Sequence, residues 1–371
     1  MNPKVRIGKI SLYNFRNHKK IQLSNLKSQV VLNGNNGSGK TNILEAISLF
    51  SPGRGLKNSS FRDIPCRNNE LNSFAVTLNV QYEMGEIEIK KSYSGDNKKN
   101  NFLSVDGEKI DNYKILDFIN ILWITPIMEK VILQSNSEKR NFFDRLIFNI
   151  NKNHLKNYSK LQKLLSERLA LLKTKYYDKD WLNIIETNIA ELSKEILDSR
   201  NVFINLLNEK LSEVKIPLST CVVNLNHDIL EKNEYQNSSD FVEKYKSMLC
   251  LNRNIDAELN RTSKTINKVN IEIFNNTDQL IEARNSSTGE QKSILLSIFL
   301  SVAKIVKNKN NGRSPIILLD EAMAHLDGDH KEYLFDALSN LNSQVWLTGV
   351  SKDLFSSIGD QTVFFDIKNI V

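Results

Sequence analysis

The sequence predicts an α/β fold in which one nucleotide-type domain is assembled from both chain ends, residues 1–125 and 265–371, around an inserted compact helical lobe, 126–264. Three patterns predict it. At the front, Val5 to Tyr13, Phe74 to Tyr82 and Glu86 to Lys91 alternate apolar and polar residues, with turn signals at Ser94-Gly95-Asp96 and Asp106-Gly107, as half-buried strands do. In the middle, apolar residues fall at helical spacing: Leu161, Leu164, Leu165, Leu169 and Leu172, then Trp181, Ile184, Ile185, Ile189, Leu192 and Ile196. Past residue 265 strands and helices alternate again, and the runs Val30-Val31-Leu32 and Ile316 to Leu319 lack alternation, which suits parallel strands covered on both faces.

Taken in order, the N-terminus MNPKVRIGKISLYNF has no apolar core for a signal peptide. The glycine-rich stretch Gly34-Asn35-Asn36-Gly37-Ser38-Gly39-Lys40-Thr41 fits G-x-x-x-x-G-K-[ST]. An apolar strand, Gln29 to Asn33, leads into it, and Ile43, Leu44, Ala46, Ile47 and Phe50 carry an apolar-periodic helix out of it. Glycines let backbone N–H groups converge on phosphate oxygens, and the helix start adds partial positive charge. Lys40 is expected to reach the β and γ phosphates of a nucleotide, and the Thr41 hydroxyl to ligate Mg²⁺.

The helical middle is broken at Tyr176 to Asp180 and at Ile216-Pro217. Its stripes read as core, and no heptad array is long enough for an extended coiled coil. Ser286-Ser287-Thr288-Gly289-Glu290-Gln291-Lys292 opens a buried helix that runs to Val306. By itself this is a good helix cap and anion site. Ser297, Ser301 and Lys304 interrupt the apolar run Ile294 to Val306, which is too short to span a bilayer. Ile316 to Leu319 then ends in Asp320-Glu321. Asp320 is placed to hold the metal through water, and Glu321 to orient or deprotonate the attacking water.

Composition sets outer bounds. The 371 residues are 40% apolar and 25% charged, which excludes whole-chain disorder. Cys66, Cys221 and Cys250 are far apart with no CxxC pair, which argues against a disulfide scaffold or zinc module and for a cytoplasmic compartment.

The order of P-loop, Ser286 to Lys292, and the Asp-Glu strand resembles the ABC ATPase superfamily. The resemblance is most specific to the RecF family, related to Rad50 and SMC heads. Leu12-Tyr13-Asn14-Phe15-Arg16-Asn17, Trp123-Ile124-Thr125-Pro126, Lys139 to Leu146, Asp320 to Asp327 and Gln344 to Gly349 resemble that family's blocks. The resemblance implies an ABC-type P-loop ATPase head that binds ATP and Mg²⁺ and hydrolyses ATP weakly, with DNA stimulation. It implies a homodimer enclosing two ATP molecules, with Ser287 and Gly289, flanked by Glu290 and Gln291, completing the partner's site. Ala324-His325-Leu326-Asp327 stands at the D-loop, placing Asp327 across the seam.

The resemblance also implies action on duplex DNA next to single-stranded gaps, with single-stranded DNA as a second form. It implies work with RecR and RecO in placing RecA, and no membrane partner. Three departures stand out. Thr348 stands where transporter ATPases carry a switch histidine, which disfavours a transporter subunit. Arg261-Thr262 is followed by Thr265-Ile266-Asn267-Lys268 where the family has a Gly-Pro-His-Arg-like stretch. The Q-loop glutamine is not identifiable: Ile127 occupies its place, and Gln134 is a nearby candidate. That gap leaves open a head that binds ATP without hydrolysis, against which Glu321 argues. A nuclease of the overcoming-lysogenization type needs a further domain for which no length remains.

For DNA the sequence offers charge. Arg54, Lys57 and Arg62, with Ser59 and Ser60, follow the P-loop helix in a loop and are the candidate phosphate contacts. Arg16 has two roles open, nucleotide contact or structural pairing, with the nucleotide preferred. The formal charge of +7 is uneven: residues 1–125 carry 18 basic and 11 acidic residues, 126–264 carry 22 and 19, and 265–371 carry 10 and 13. The excess on the P-loop segment favours a DNA partner over a membrane.

Overall fold

The structure, a computed structural model, describes residues 3–66, 72–95, 101–174, 176–227, 229–230, 237–276, 280–321, 327–349 and 361–367. The chain divides into two compact units. The first comprises 1–130, 214–219 and 288–371; the second comprises 131–213 and 220–287.

The first unit starts with β1 (Val5–Phe15) and β2 (His18–Leu23), followed by β3 (Gln29–Asn33) and the helix α1 (Lys40–Ser48). Next come β4 (Ser73–Tyr82), β5 (Gly85–Ser94), β6 (Asn101–Val105), β7 (Glu108–Lys109) and β8 (Ile121–Ile124). The antiparallel sheet runs β2-β1-β4-β5-β6-β7. Its alternation buries Phe74, Val76, Leu78 and Val80 of β4 on one face, as period-2 patterning requires.

The second unit begins with α2 (Asn136–Phe148), α3 (Lys152–Leu172) and α4 (Lys179–Leu211), and continues through β9 (Cys221–Asn226), α5 (Ser238–Leu251), α6 (Arg253–Leu259), β10 (Asn270–Asn276) and β11 (Leu280–Glu282). The chain then returns to the first unit with α7 (Thr288–Lys309), β12 (Ile316–Leu319), α8 (Gly328–Leu341), β13 (Val345–Gly349) and β14 (Thr362–Asp366).

The second sheet of the first unit is parallel, ordered β14-β3-β13-β12-β8. Every residue of β8, β12 and β13 is buried, so the unbroken apolar runs are strands covered on both faces. Gln344, 0% exposed, ties the two sheets together. Its Oε1 accepts from Ile7 N at 2.8 Å, and its Nε2 donates to Ile7 O at 2.9 Å and Lys27 O at 3.0 Å.

The expected boundary at 265 moves to 287. The segment after 265 supplies β10, which pairs antiparallel with β9 and β11 in a three-stranded sheet and therefore belongs to the helical unit. That sheet is absent from the sequence reading, although Ile271 and Ile273 alternate with Glu272 in a strand pattern.

Leu161, Leu165, Ile185, Ile189, Leu192 and Ile196 of the α3 and α4 stripes pack as core with Phe241 and Tyr245 of α5, whereas Trp181 and Ile184 of the expected α4 stripe are exposed. Arg168 occupies an interior position beside them, wholly buried. It pairs with Glu186 at 2.9 Å and Asp256 at 2.7 Å and donates to Thr262 Oγ1. Arg200 grips Asp144 through two hydrogen bonds of 2.8 and 2.7 Å, and His154 Nε2 lies 3.2 Å from the same carboxylate. Burial acts to raise the Asp144 pKa, but the bonds to His154 and Arg200 outweigh it and hold the carboxyl below the ordinary range.

Candidate functional site

β3 delivers the chain to Gly34, and the loop closes on α1 through Gly39, the helix N-cap at φ 101°. A Cβ at Gly39 would lie 2.5 Å from His18 Nε2, so backbone conformation and space both demand glycine there. His18 is 1% exposed, with Nε2 3.2 Å from Gly39 O, and burial lowers its pKa. The β1–β2 corner thus braces the loop from beneath; Asn17 Nδ2 also donates to Ser38 O at 3.3 Å.

Lys40 is 4% exposed, and its Nζ donates to Gly34 O at 2.7 Å and Asn35 O at 3.0 Å. The ammonium spans the loop it belongs to. Burial lowers its pKa, against the pull of Glu321 and Asp320.

Strand order brings the second half of the site to the first. β13 lies between β3 and β12, pairing Thr348 with Leu32 and Leu347 with Leu319. Asp320, which follows β12, therefore sits beside the end of the P-loop strand. Its Oδ1 accepts from Thr41 Oγ1 at 2.9 Å and from Thr348 Oγ1 at 2.9 Å. Burial raises the Asp320 pKa, and those two hydroxyls act against the rise. Thr348 also accepts from Glu321 N at 2.8 Å, so one hydroxyl fixes both acidic residues. Glu321 has φ 51°, an uncommon left-handed conformation for a non-glycine residue.

Arg16 does not reach the P-loop oxygens in this structure. It takes the pairing role: Nε and Nη2 donate to Glu45 at 2.9 and 2.5 Å, Nη2 to Ser59 Oγ at 2.6 Å, and Nη1 to Asp63 O at 2.7 Å. Glu45, on α1 and wholly buried, also faces Lys57 Nζ at 3.5 Å. Lys57 donates to Asn42 Oδ1 at 2.7 Å, and its charge opposes the raised pKa of Asp320. Lys57 thus reaches back to α1, while it, Arg54 and Arg62 are all exposed. The sequence reading missed Glu45; an acid one turn after Thr41 in an otherwise apolar helix was the available signal.

Ser287 and Gly289 are exposed at the start of α7, and Gln291 is buried. Ser287 falls in the second unit and Gly289 to Gln291 in the first. Asp327 caps α8, accepting from His330 N at 2.9 Å. Ala324, His325 and Leu326 lie outside the described residues, as does Asp96 of the expected turn. Ile127 is 74% exposed, and Gln134 lies in the second unit.

Among the described residues no cluster of three or more His, Cys, Asp or Glu can hold a metal. Thr41 and Asp320 form an oxygen-only pair beside a phosphate loop. That suits Mg²⁺, which takes few protein ligands and completes its shell with phosphate oxygens and water. Among the described residues no helix is long and apolar enough to cross a membrane.

The family model described as the RecF/RecN/SMC N terminal domain matches residues 6–369. The DNA replication and repair protein RecF of Rhizobium etli (strain CIAT 652) is 31% identical over 371 residues, covering 99% of this chain and 98% of its own. A solved structure of the recombination mediator protein RecF with ATP, in the RecFOR pathway, superposes with a TM-score of 0.85 at 26% identity, covering 99% of this chain and 97% of that one. The Smc head domain of Pyrococcus furiosus, bound to the C-terminal domain of ScpA, superposes with a TM-score of 0.51 at 18% identity over 99% of this chain and 95% of that one, a likeness of fold.

Proposed function

This chain belongs to the RecF family of DNA replication and repair proteins, and from that membership we propose that it is an ATP-gated DNA clamp of recombinational gap repair. One observation carries the reading. Asp320 gathers Thr41 of the phosphate loop and Thr348 of the intervening strand onto one carboxylate oxygen, each at 2.9 Å. An acid so placed serves the metal edge of an NTP site.

In this reading Lys40 exchanges the Gly34 and Asn35 carbonyls for β and γ phosphate oxygens. Thr41 and Asp320 hold Mg²⁺, which supplies charge neutralisation on the phosphates. Glu321, fixed by Thr348, takes the proton of the attacking water. Thr348 orders the acids and carries no proton charge of its own, which suits slow hydrolysis.

Ser287 and Gly289, exposed at the start of α7, bind the γ-phosphate held by a second copy, with Glu290 and Gln291 shaping the helix start and Asp327 at the seam. ATP then holds the dimer closed. Loss of the γ-phosphate removes contacts made only in the closed state and biases the dimer toward opening. Hydrolysis is a release timer.

The DNA is duplex next to a single-stranded gap, and the protein acts with RecR and RecO in placing RecA. The relative solved with ATP in the RecFOR pathway supports this assignment. Arg54 and Arg62 are the phosphate contacts; Lys57 links their loop to the nucleotide site through Glu45 and Asn42. Salt-titrated binding to gapped, duplex and single-stranded DNA, with and without ATP, tests the assignment. Binding is expected to be ATP-dependent and tightest on gapped duplex. The double variant Arg54→Glu, Arg62→Glu should flatten the slope of log K against log salt by about two. ATP-independent binding, or an unchanged slope, contradicts it.

A further inference from the structure

The helices of the second unit treat their surface charge differently. α3 carries five basic residues and one acid, Glu167, whereas its neighbour α4 carries four basic residues and six acids. Lysines of α4 and α5 meet an acid one turn away: Lys194 with Asp198 at 2.6 Å, Lys210 with Glu213 at 2.5 Å, and Lys244 with Asp240 at 3.0 Å. On α3 that pattern is missing. Arg168 is consumed by its buried pairs, and the other four cations, Lys152, Lys156, Lys160 and Lys163, are exposed.

Their spacing of four, four and three residues puts these lysines on one helix face. Every exposed residue from 152 to 166 is Lys, Ser or Asn. Among the described residues Lys156, Lys160 and Lys163 make no ion pair. Glu195 of α4 reaches the α4-facing edge, on Asn157 at 2.5 Å, and Glu167 stands beyond the last lysine. The arrangement works against the helix. Like charges three and four residues apart repel, and the first turn, where acids are favoured, has none.

A second segment extends the face. Gln162 Nε2 donates to Asn267 Oδ1 at 3.3 Å, which sets the exposed Lys268 beside α3. Arg200 Nη1 donates to Ile266 O at 3.0 Å and Arg140 Nη1 to Val269 O at 3.1 Å, so the backbone that presents Lys268 is pinned. Asn267 and Lys268 belong to the stretch in which the sequence departs from the family.

The make-up of the face decides the class of partner. Protein-binding hot spots need aromatic or apolar anchors and are poor in Lys. A membrane-surface helix needs an exposed apolar side. Single-strand grooves interleave aromatic platforms for base stacking. The exposed side of α3 from 152 to 166 has none of these. It offers cations, hydroxyls and amides along about 17 Å of helix, which suits a duplex backbone with one phosphate per about 3.4 Å on each strand.

We propose that this face of α3, with Lys268, is a second contact for the phosphates of duplex DNA, carried on a different unit from Arg54 and Arg62. It rests on the reading that the chain binds duplex DNA and adds a surface to it.

Salt-titrated binding of a blunt duplex to the full-length protein with ATP tests the proposal. The triple variant Lys156→Gln, Lys160→Gln, Lys163→Gln should flatten the slope of log K against log salt by about two to three and weaken binding about tenfold or more at about 0.1 M salt. Arginine at the same three positions should keep affinity within about threefold. The glutamine variant should unfold at the same or a higher temperature than the parent, because like-charge repulsion is relieved. A lower midpoint would show that these lysines are already paired and would overturn the proposal. An unchanged slope, beside a flattened one in Arg54→Glu, Arg62→Glu, would overturn this site alone. A parent chain that does not bind duplex would overturn the DNA reading with it. Retained duplex affinity with lost binding of a Glu-rich peptide would assign the face to an acidic protein segment instead.

Discussion

Lys40 and Arg200 are both almost wholly buried, yet they are satisfied in different ways. Lys40 rests on two neutral carbonyls, and across the site Asp320 rests on two neutral hydroxyls. Arg200 is locked bidentately to Asp144, and Arg168 makes one bond each to Glu186 and Asp256. Neutral partners can be exchanged for a phosphate or a metal without stranding a counter-charge; a closed ion pair cannot. Buried charges on neutral partners, such as Lys40 and Asp320, can therefore give way to a ligand. Closed pairs mark architecture.

The comparison is broken most directly by Glu321→Gln. It keeps the backbone bond to Thr348 and removes the base, so ATP turnover should fall about 10²–10⁴-fold with ATP binding retained. Turnover near the parental rate in a coupled phosphate assay would remove Glu321 from the chemistry.

Asp144→Asn attacks the other side. It leaves Arg200 buried without its counter-charge and should cost about 3–5 kcal/mol of stability, read from urea midpoints. A change below about 1 kcal/mol would mean that the pair is not closed.

Lys91 sharpens the distinction. It is buried in the first unit, and its Nζ donates to Leu49 O at 2.8 Å and lies over the Phe61 ring at 5.4 Å. Burial lowers its pKa to about 8. Because the folded value lies below the unfolded one, its charge destabilises the fold fully below pH 8. The penalty fades as pH rises from about 8 to 10.5. Lys91→Met should thus gain about 2 kcal/mol at pH 7, from about 3 of relieved desolvation less about 1 for the lost hydrogen bond. The gain should vanish before pH 10.5 and turn there into a loss of about 1 kcal/mol or less, the hydrogen bond alone. A pH-independent difference between the two proteins would contradict this.

What could be read from the sequence followed from how local each signal was. The phosphate loop, Asp320-Glu321 and the buried strands are contiguous, and their chemistry is written in consecutive residues. Thr348 was placed by position, but its service to both Asp320 and Glu321 depends on β13 lying between β3 and β12, which is a matter of sheet order. Glu45 and Lys57 were invisible as a pair because they lie on different segments and meet only after the loop folds back. The β9–β10–β11 sheet was missed because its strands are separated by two helices, so that β10 was assigned to the returning ATPase segment.

Lys40 holds the central claim, and sedimentation velocity with ATP and Mg²⁺ tests it most directly. The parent chain should shift from monomer to dimer on adding ATP, and Lys40→Met should stay monomeric at the same concentrations. Full ATP-induced dimerisation of Lys40→Met would contradict the account, because the γ-phosphate contact that closes the dimer would then not depend on the phosphate loop.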